Sequence, residues 1–249
     1  MNRLLGSKKV KPTTKKERGY ILYQGASVLD GAPIVVIATM STSNVKTGDM
    51  IQTWIIRSDI APMEASKQFK DSSICGNCPH RQNTGGACYV NLGQAPTSVY
   101  NSYMKGNYPL LDTKKHGQYF IGRKIRLGAY GDPSAAPFDV WSNILLYCNG
   151  HTGYTHQIKH ANFDKRFLSI CQVSADTPKQ ALKYQAQGAK TFRVALPNDG
   201  LLANEIECLS DSKGIKCIDC GLCDGLKQNI AIVVHGARSP RFKSTFIPA

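Results

Sequence analysis

Apolar, β-branched runs open the ordered-looking part of the chain: GYILYQGASVL from Gly19, then APIVVIATM, then MIQTWIIR. The last two are separated by STSNVKTGD, a turn-rich stretch, so the pattern predicts an N-terminal β-meander or hairpin. APMEASKQFK follows, with Pro near its start and good helix formers after it, and predicts a helix. TSVYNSYMKG predicts a second, short one. From Gly117 the pattern changes to an alternation of strands and helices. KIRLGAYGD, GYTHQI, FLSICQVSAD, KTFRVAL and QNIAIVVHG read as strands. PFDVWSNILLYC and TPKQALKYQAQG read as amphipathic helices, the latter with Thr177 as N-cap and Gly188 as its stop. Strands alternating with helices imply parallel pairing. The fold class is therefore α/β, and the strands are too few for an eight-fold barrel. The expected architecture is an incomplete (half) βα barrel or an open parallel sheet, preceded by the meander and carrying two Cys-rich loops.

Composition changes this picture in two ways. The 249 residues hold 31 Lys and Arg against 17 Asp and Glu, a net charge of +14. Much of that charge sits in residues 1–18, where Arg3, Lys8, Lys9, Lys11, Lys15, Lys16 and Arg18 face only Glu17. This reads as a flexible basic arm, with residues 19–249 forming one α/β metal-binding domain. Lys8, Lys9, Lys11, Lys15 and Lys16 are the candidate contacts to nucleic-acid phosphates; the bland alternative is a solvated tail. No apolar run approaches the roughly 20 residues of a membrane helix, and the N-terminus has no apolar signal core, so a cytoplasmic protein without a membrane partner is expected.

The second change is the cysteine content. Nine cysteines, an odd number, fall largely into two tight groups, which argues for metal ligation over a disulfide framework. Cys208, Cys217, Cys220 and Cys223 form the stronger group. Three thiols within CIDCGLC can face one centre, with Gly221 permitting a tight wrap. The stretch looks like the opening of the bacterial ferredoxin loop, although Lys227 stands where that loop has its next cysteine. Four thiolates suit a [4Fe–4S] cluster, with a structural Zn2+ as the alternative. Cys75, Cys78 and Cys88 form the other group. Its fourth ligand is His80, or a residue such as Cys171 or His156, or is absent so that a coordination position stays open. Cys148 and Cys171 stand alone in apolar segments and read as buried small hydrophobes.

Chemistry in α/β folds gathers beyond the carboxyl ends of the strands. Asp132, His156, Asp176 and Arg193 occupy such positions and are the candidate catalytic set: Asp and His as acid or base, Arg193 as an anion holder. Asn198 and His235 stand at strand ends too. Taken singly, each also fits a cap or turn role. The chain has no HExxH, no GxxxxGK[ST] and no GxSxG, which removes the corresponding metalloprotease, phosphate-loop and hydrolase readings.

The ordered set CxxCP, GxCYV, RLGAYGDPxAxP, GYTHQ, TFRV, CxxCGxC and HG is similar to a family of phage- and plasmid-encoded proteins of unknown function, over about residues 34–235. More loosely, the chain resembles radical S-adenosylmethionine enzymes, which pair a partial barrel with iron–sulfur clusters; Gly131, Asp132 and Pro133 fall where those carry a GEP-like turn, but CxxxCxxC is missing here. These likenesses imply a mobile-element protein in the host cytoplasm. Three functions follow as expectations: an iron–sulfur protein acting on nucleic acid, a radical or redox enzyme, or a non-enzymatic zinc-stapled adaptor.

Overall fold

The structure, a computed structural model, describes residues 18–236 and 239–246. The basic arm, with Lys8, Lys9, Lys11, Lys15 and Lys16, therefore lies outside the described residues.

In chain order the strands are β1 (Gly19–Ala26), β2 (Pro33–Thr39), β3 (Ile51–Arg57), β4 (Ile125–Tyr130), β5 (His151–Thr155), β6 (Gln172–Ala175), β7 (Thr191–Ala195), β8 (Glu205–Glu207) and β9 (Asn229–Val233). The helices are α1 (Pro62–Lys67), α2 (Ser72–Cys75), α3 (Ala95–Met104), α4 (Thr113–His116), α5 (Phe138–Leu145), α6 (Pro178–Gln185), α7 (Leu209–Ser212), α8 (Cys217–Cys220) and α9 (Ser239–Phe246). All nine strands join one sheet in the order β1-β2-β3-β4-β5-β6-β7-β9-β8. The first two pairings are antiparallel, as the meander predicts. Every pairing from β3 to β8 is parallel. The sheet stays open, so of the two expected architectures the open parallel sheet is the one adopted.

The core explains the strand assignments. Ile34, Val35, Val36, Ile37 and Ala38 of β2 are all fully buried, which is the signature of a strand covered on both faces. In α5, Trp141 and Ile144 turn inward, and the indole Nε1 donates to the Pro133 carbonyl at 2.8 Å. α6 begins as expected, with the Thr177 hydroxyl accepting from the Gln180 amide at 3.2 Å and Pro178 in its first turn.

Two expectations need adjustment. FLSICQVSAD is not one strand: Lys165–Ser169 is a 3-10 turn, and β6 begins only at Gln172. The Asp164 carboxylate accepts from the Arg166 amide at 2.9 Å and so starts the turn, while Phe167, Ile170 and Cys171 are buried. The three-residue strand β8 has no sequence signal of its own. It is held by Arg193, whose fully buried guanidinium binds Glu205 at 2.6 Å, reaches Asp199 at 3.4 Å and donates to the Gly200 carbonyl at 2.7 Å.

Removing one partner of a buried ion pair leaves an uncompensated charge, at a cost of about 3–5 kcal/mol. Glu205→Gln should therefore destabilise the chain by about 3 kcal/mol in urea unfolding. A loss under about 1 kcal/mol would mean that Arg193 finds other compensation.

Candidate functional site

The carboxyl ends of β4, β5 and β6 meet the first cysteine loop, and Asp132 organises the meeting. β4 ends at Tyr130, and Gly131 then turns the chain at φ +83, with Ile55 so close that a Cβ would lie 2.7 Å from its side chain. The buried Asp132 carboxylate accepts from the Ser134 amide (3.0 Å) and hydroxyl (2.8 Å), the Thr155 hydroxyl (2.9 Å) and the His156 amide (2.8 Å). Its own amide donates to the Ile74 carbonyl at 2.6 Å, one residue before Cys75. Asp132 is thus a positioning residue, its acceptor capacity committed to the two strand ends.

Gln157 fastens the same loop to β5. Its side-chain amide donates to the Cys75 carbonyl at 2.9 Å, and its oxygen accepts from the Asn77 amide at 3.2 Å. Arg81 binds Asp71 at 2.6 Å, and Asn83 donates to the same oxygen at 2.9 Å. The loop closes where the Cys88 amide donates to the His80 carbonyl at 2.9 Å. Gly86 passes so close to the His80 backbone that no side chain fits there. Cys75, Cys78, Cys88 and His80 are therefore held by a dense backbone network.

Asp176, at the end of β6, stands between two histidines. His80 Nε2 lies 2.6 Å from its Oδ1, and His156 Nε2 lies 3.8 Å from the same atom, an ion-pair distance too long for a hydrogen bond. The two imidazoles meet edge to face at 5.4 Å, and Phe242 of α9 stacks on His80 at 5.4 Å. Burial pushes the Asp176 carboxyl up, but His156 and His80 together hold it well below the usual carboxylate range. Burial alone would lower His156; the Cys78 thiol and Asp176 overcome it and raise it well above the usual histidine value. Burial, then the neighbouring Cys78 and Cys88 thiols, push Cys75 well up. Burial raises the Tyr130 phenol first, and the Cys75 thiol adds to it. Among the described residues the buried Tyr130 hydroxyl and His156 Nε2 have no hydrogen-bond partner.

The structure thus brings three of the four expected catalytic residues, Asp132, His156 and Asp176, to one mouth. Arg193 is not among them, its guanidinium being enclosed by Glu205, Asp199 and the Gly200 carbonyl. His235 is exposed, 3.5 Å from the Lys46 ammonium. Cys171 is fully buried in the core and Cys148 half-buried. Burial pushes the Cys148 thiol up to about 12.

The second cysteine loop lies against the segments leading into β3 and β4 and against β5 itself. The amides of Cys217 and Ile218 donate to Lys46 and Thr47, Lys124 donates to the Ile218 carbonyl at 2.6 Å, and the Gly153 amide donates to the Cys223 carbonyl at 3.0 Å. Cys208 is tied to β9 through the Ala231 carbonyl at 2.8 Å. Burial pushes Cys223 up to about 12; a hydrogen bond with Tyr154 opposes this, while Cys208, Cys217 and Cys220 add to it. Cys223 and Cys217 therefore each lie within electrostatic reach of the other three thiols. Arg126 connects the two loops: it donates to the Tyr89 hydroxyl at 2.6 Å, next to Cys88, and its charge acts on Cys217. Its buried Nε has no hydrogen-bond partner among the described residues.

Tyr130, Gln157 and Arg126 have roles that the sequence reading did not assign, although Tyr130 and Gln157 sit inside the AYGDP and GYTHQ motifs. Phe242 has no sequence signal. A cleft of about 500 Å³, lined by Gln185, Lys190, Asn204 and Gln228 among others, opens at the amino ends of β7–β9 and contains none of the candidate groups. Among the described residues no helix is long and apolar enough to cross a membrane.

No family model matches the chain, no curated protein matches its sequence, and no solved structure matches its fold.

Buried donors facing a carboxylate are costly to leave unmatched, so Asp132→Asn should destabilise the chain by about 2 kcal/mol in urea unfolding. An unchanged midpoint would remove Asp132 as the organiser of the mouth.

Proposed function

We propose that the chain is an iron–sulfur protein of a mobile element that acts on nucleic acid in the host cytoplasm. The observation that carries this reading is the grouping of seven cysteines into two sets joined through Tyr89 and Arg126. The four thiols of Cys208, Cys217, Cys220 and Cys223 suit a [4Fe–4S] cluster, with a structural Zn2+ as the alternative. Tetrahedral zinc needs thiolates about 3.8 Å apart. Among the described residues, no three of these thiols fall into a group within 4.8 Å. A four-iron cube spaces its thiolates more widely, and Gly221, in the left-handed region at φ +62, allows the wrap. These four residues would hold the cluster, which when bound supplies one-electron chemistry or a folding staple. Cys75, Cys78 and Cys88 offer a second thiol set beside the mouth.

The mouth supports an enzymatic reading: His156 and Asp176 form a buried acid–base pair beside Cys78. The net charge of +14 supports attraction to phosphates, and the resemblance of the chain's motifs to phage- and plasmid-encoded proteins supports the mobile-element origin.

Anaerobic purification should give a brown protein absorbing near 400 nm, with about four iron and four sulfide per chain in the Cys208 group. Changing Cys217 and Cys220 to Ser should remove that iron and lower solubility, because ligation is coupled to folding. A colourless chain carrying two zinc ions would overturn the iron–sulfur reading. Deleting residues 1–18 should weaken single-stranded DNA binding and reduce the logarithmic salt slope by about 3, as expected if the five arm lysines contact phosphates. An unchanged slope would reject the arm as the contact.

A further inference from the structure

We propose that His80, His156 and Asp176 form a mononuclear site for a first-row divalent transition-metal ion, separate from the two thiol groups. This goes beyond the iron–sulfur reading and does not depend on it. The three side chains come from three segments: the first cysteine loop, the end of β5 and the end of β6. One ligand atom of each lies within 4.8 Å of the others, and among the described residues this is the only such group of three or more His, Cys, Asp or Glu side chains.

The surroundings are those of a built site. The side chains are only 13%, 22% and 5% exposed for His80, His156 and Asp176. His156 Nε2 faces Asp176 Oδ1 from 3.8 Å and, although buried, has no hydrogen-bond partner among the described residues. A ring nitrogen directed at a carboxylate but too far to bond it leaves a gap that an ion would bridge. The 2.6 Å hydrogen bond between His80 and Asp176 holds the other two donors together; an ion would take the place of its proton and part the two atoms by a few tenths of an ångström. Outer contacts fix the ligands: Asp132 holds the His156 amide, the Gln180 side chain accepts from the Asp176 amide at 2.9 Å, and Phe242 stacks on His80.

The donor set selects the ion. Two imidazoles and one carboxylate suit Fe2+, Zn2+ or Mn2+ better than Ca2+ or Mg2+, which take oxygen ligands. Three protein ligands leave positions open for water or substrate, the arrangement of a reactive rather than a structural centre. The Cys78 thiol beside His156 is available to that open side.

Mn2+ tests the site, because thiolate groups favour softer ions. The full chain, dialysed against a weak carboxylate chelator that leaves thiolate-held metal in place, is titrated with Mn2+ and followed by electron paramagnetic resonance. One Mn2+ per chain should bind, with spin-echo modulation from two imidazole nitrogens, a readout that needs no variant. Asp176→Asn and His80→Gln should each weaken binding at least about tenfold, whereas His235→Gln, at an exposed histidine outside the mouth, should bind Mn2+ as the wild type does. Absence of bound Mn2+, or a bound ion without imidazole coupling, would overturn the site and leave only the His80–Asp176 hydrogen bond with His156 beside it. Iron and sulfide content is measured on the same samples. A chain lacking the cluster yet binding Mn2+ through imidazoles would refute the iron–sulfur reading and uphold this one.

Discussion

One buried carboxylate, Asp132, fixes where everything else at the mouth can be. It accepts hydrogen bonds from the turn after β4 and from Thr155 and His156 at the end of β5, while its amide holds the backbone just before Cys75. Three chain segments with no sequence proximity are thereby placed around one point. A carboxylate surrounded by donors in a dry environment has few alternative arrangements, because each donor left unmatched costs about 1–3 kcal/mol. The positions of His156 and the first cysteine loop follow from that constraint, and Gln157 and Arg81 make it stiffer.

Charge then determines what the mouth and the second cysteine loop can hold. The mouth is acidic and imidazole-rich, with Asp176 kept ionised between His80 and His156. The second cysteine loop has Lys46, Lys124 and Arg126 around it. Buried thiols resist ionising, and Cys223 is pushed up to about 12 by burial first of all. Cations nearby favour the thiolate form that metal ligation requires. The two cysteine loops have chemically distinct surroundings and are joined through the Tyr89–Arg126 hydrogen bond.

Much of this is legible in the amino-acid pattern. The β-branched runs give the meander and the parallel strands because burial on both faces demands continuous apolar sequence. Strand ends place Asp132, His156 and Asp176 together because parallel strands share a carboxyl edge. Other features were not legible. Arg193 also follows a strand pattern, yet its partner Glu205 lies in a three-residue strand too short to carry periodicity. His80 pairs with Asp176 across 96 positions, and Phe242 reaches it from the C-terminal helix. Such contacts depend on how loops return over the sheet, which local composition does not encode.

Anomalous diffraction from crystals grown anaerobically, recorded at the iron, zinc and manganese edges, tests the account most directly. The account places iron density among Cys208, Cys217, Cys220 and Cys223, and after a Mn2+ soak a single ion between His80, His156 and Asp176. Maps without anomalous density in either position would contradict it.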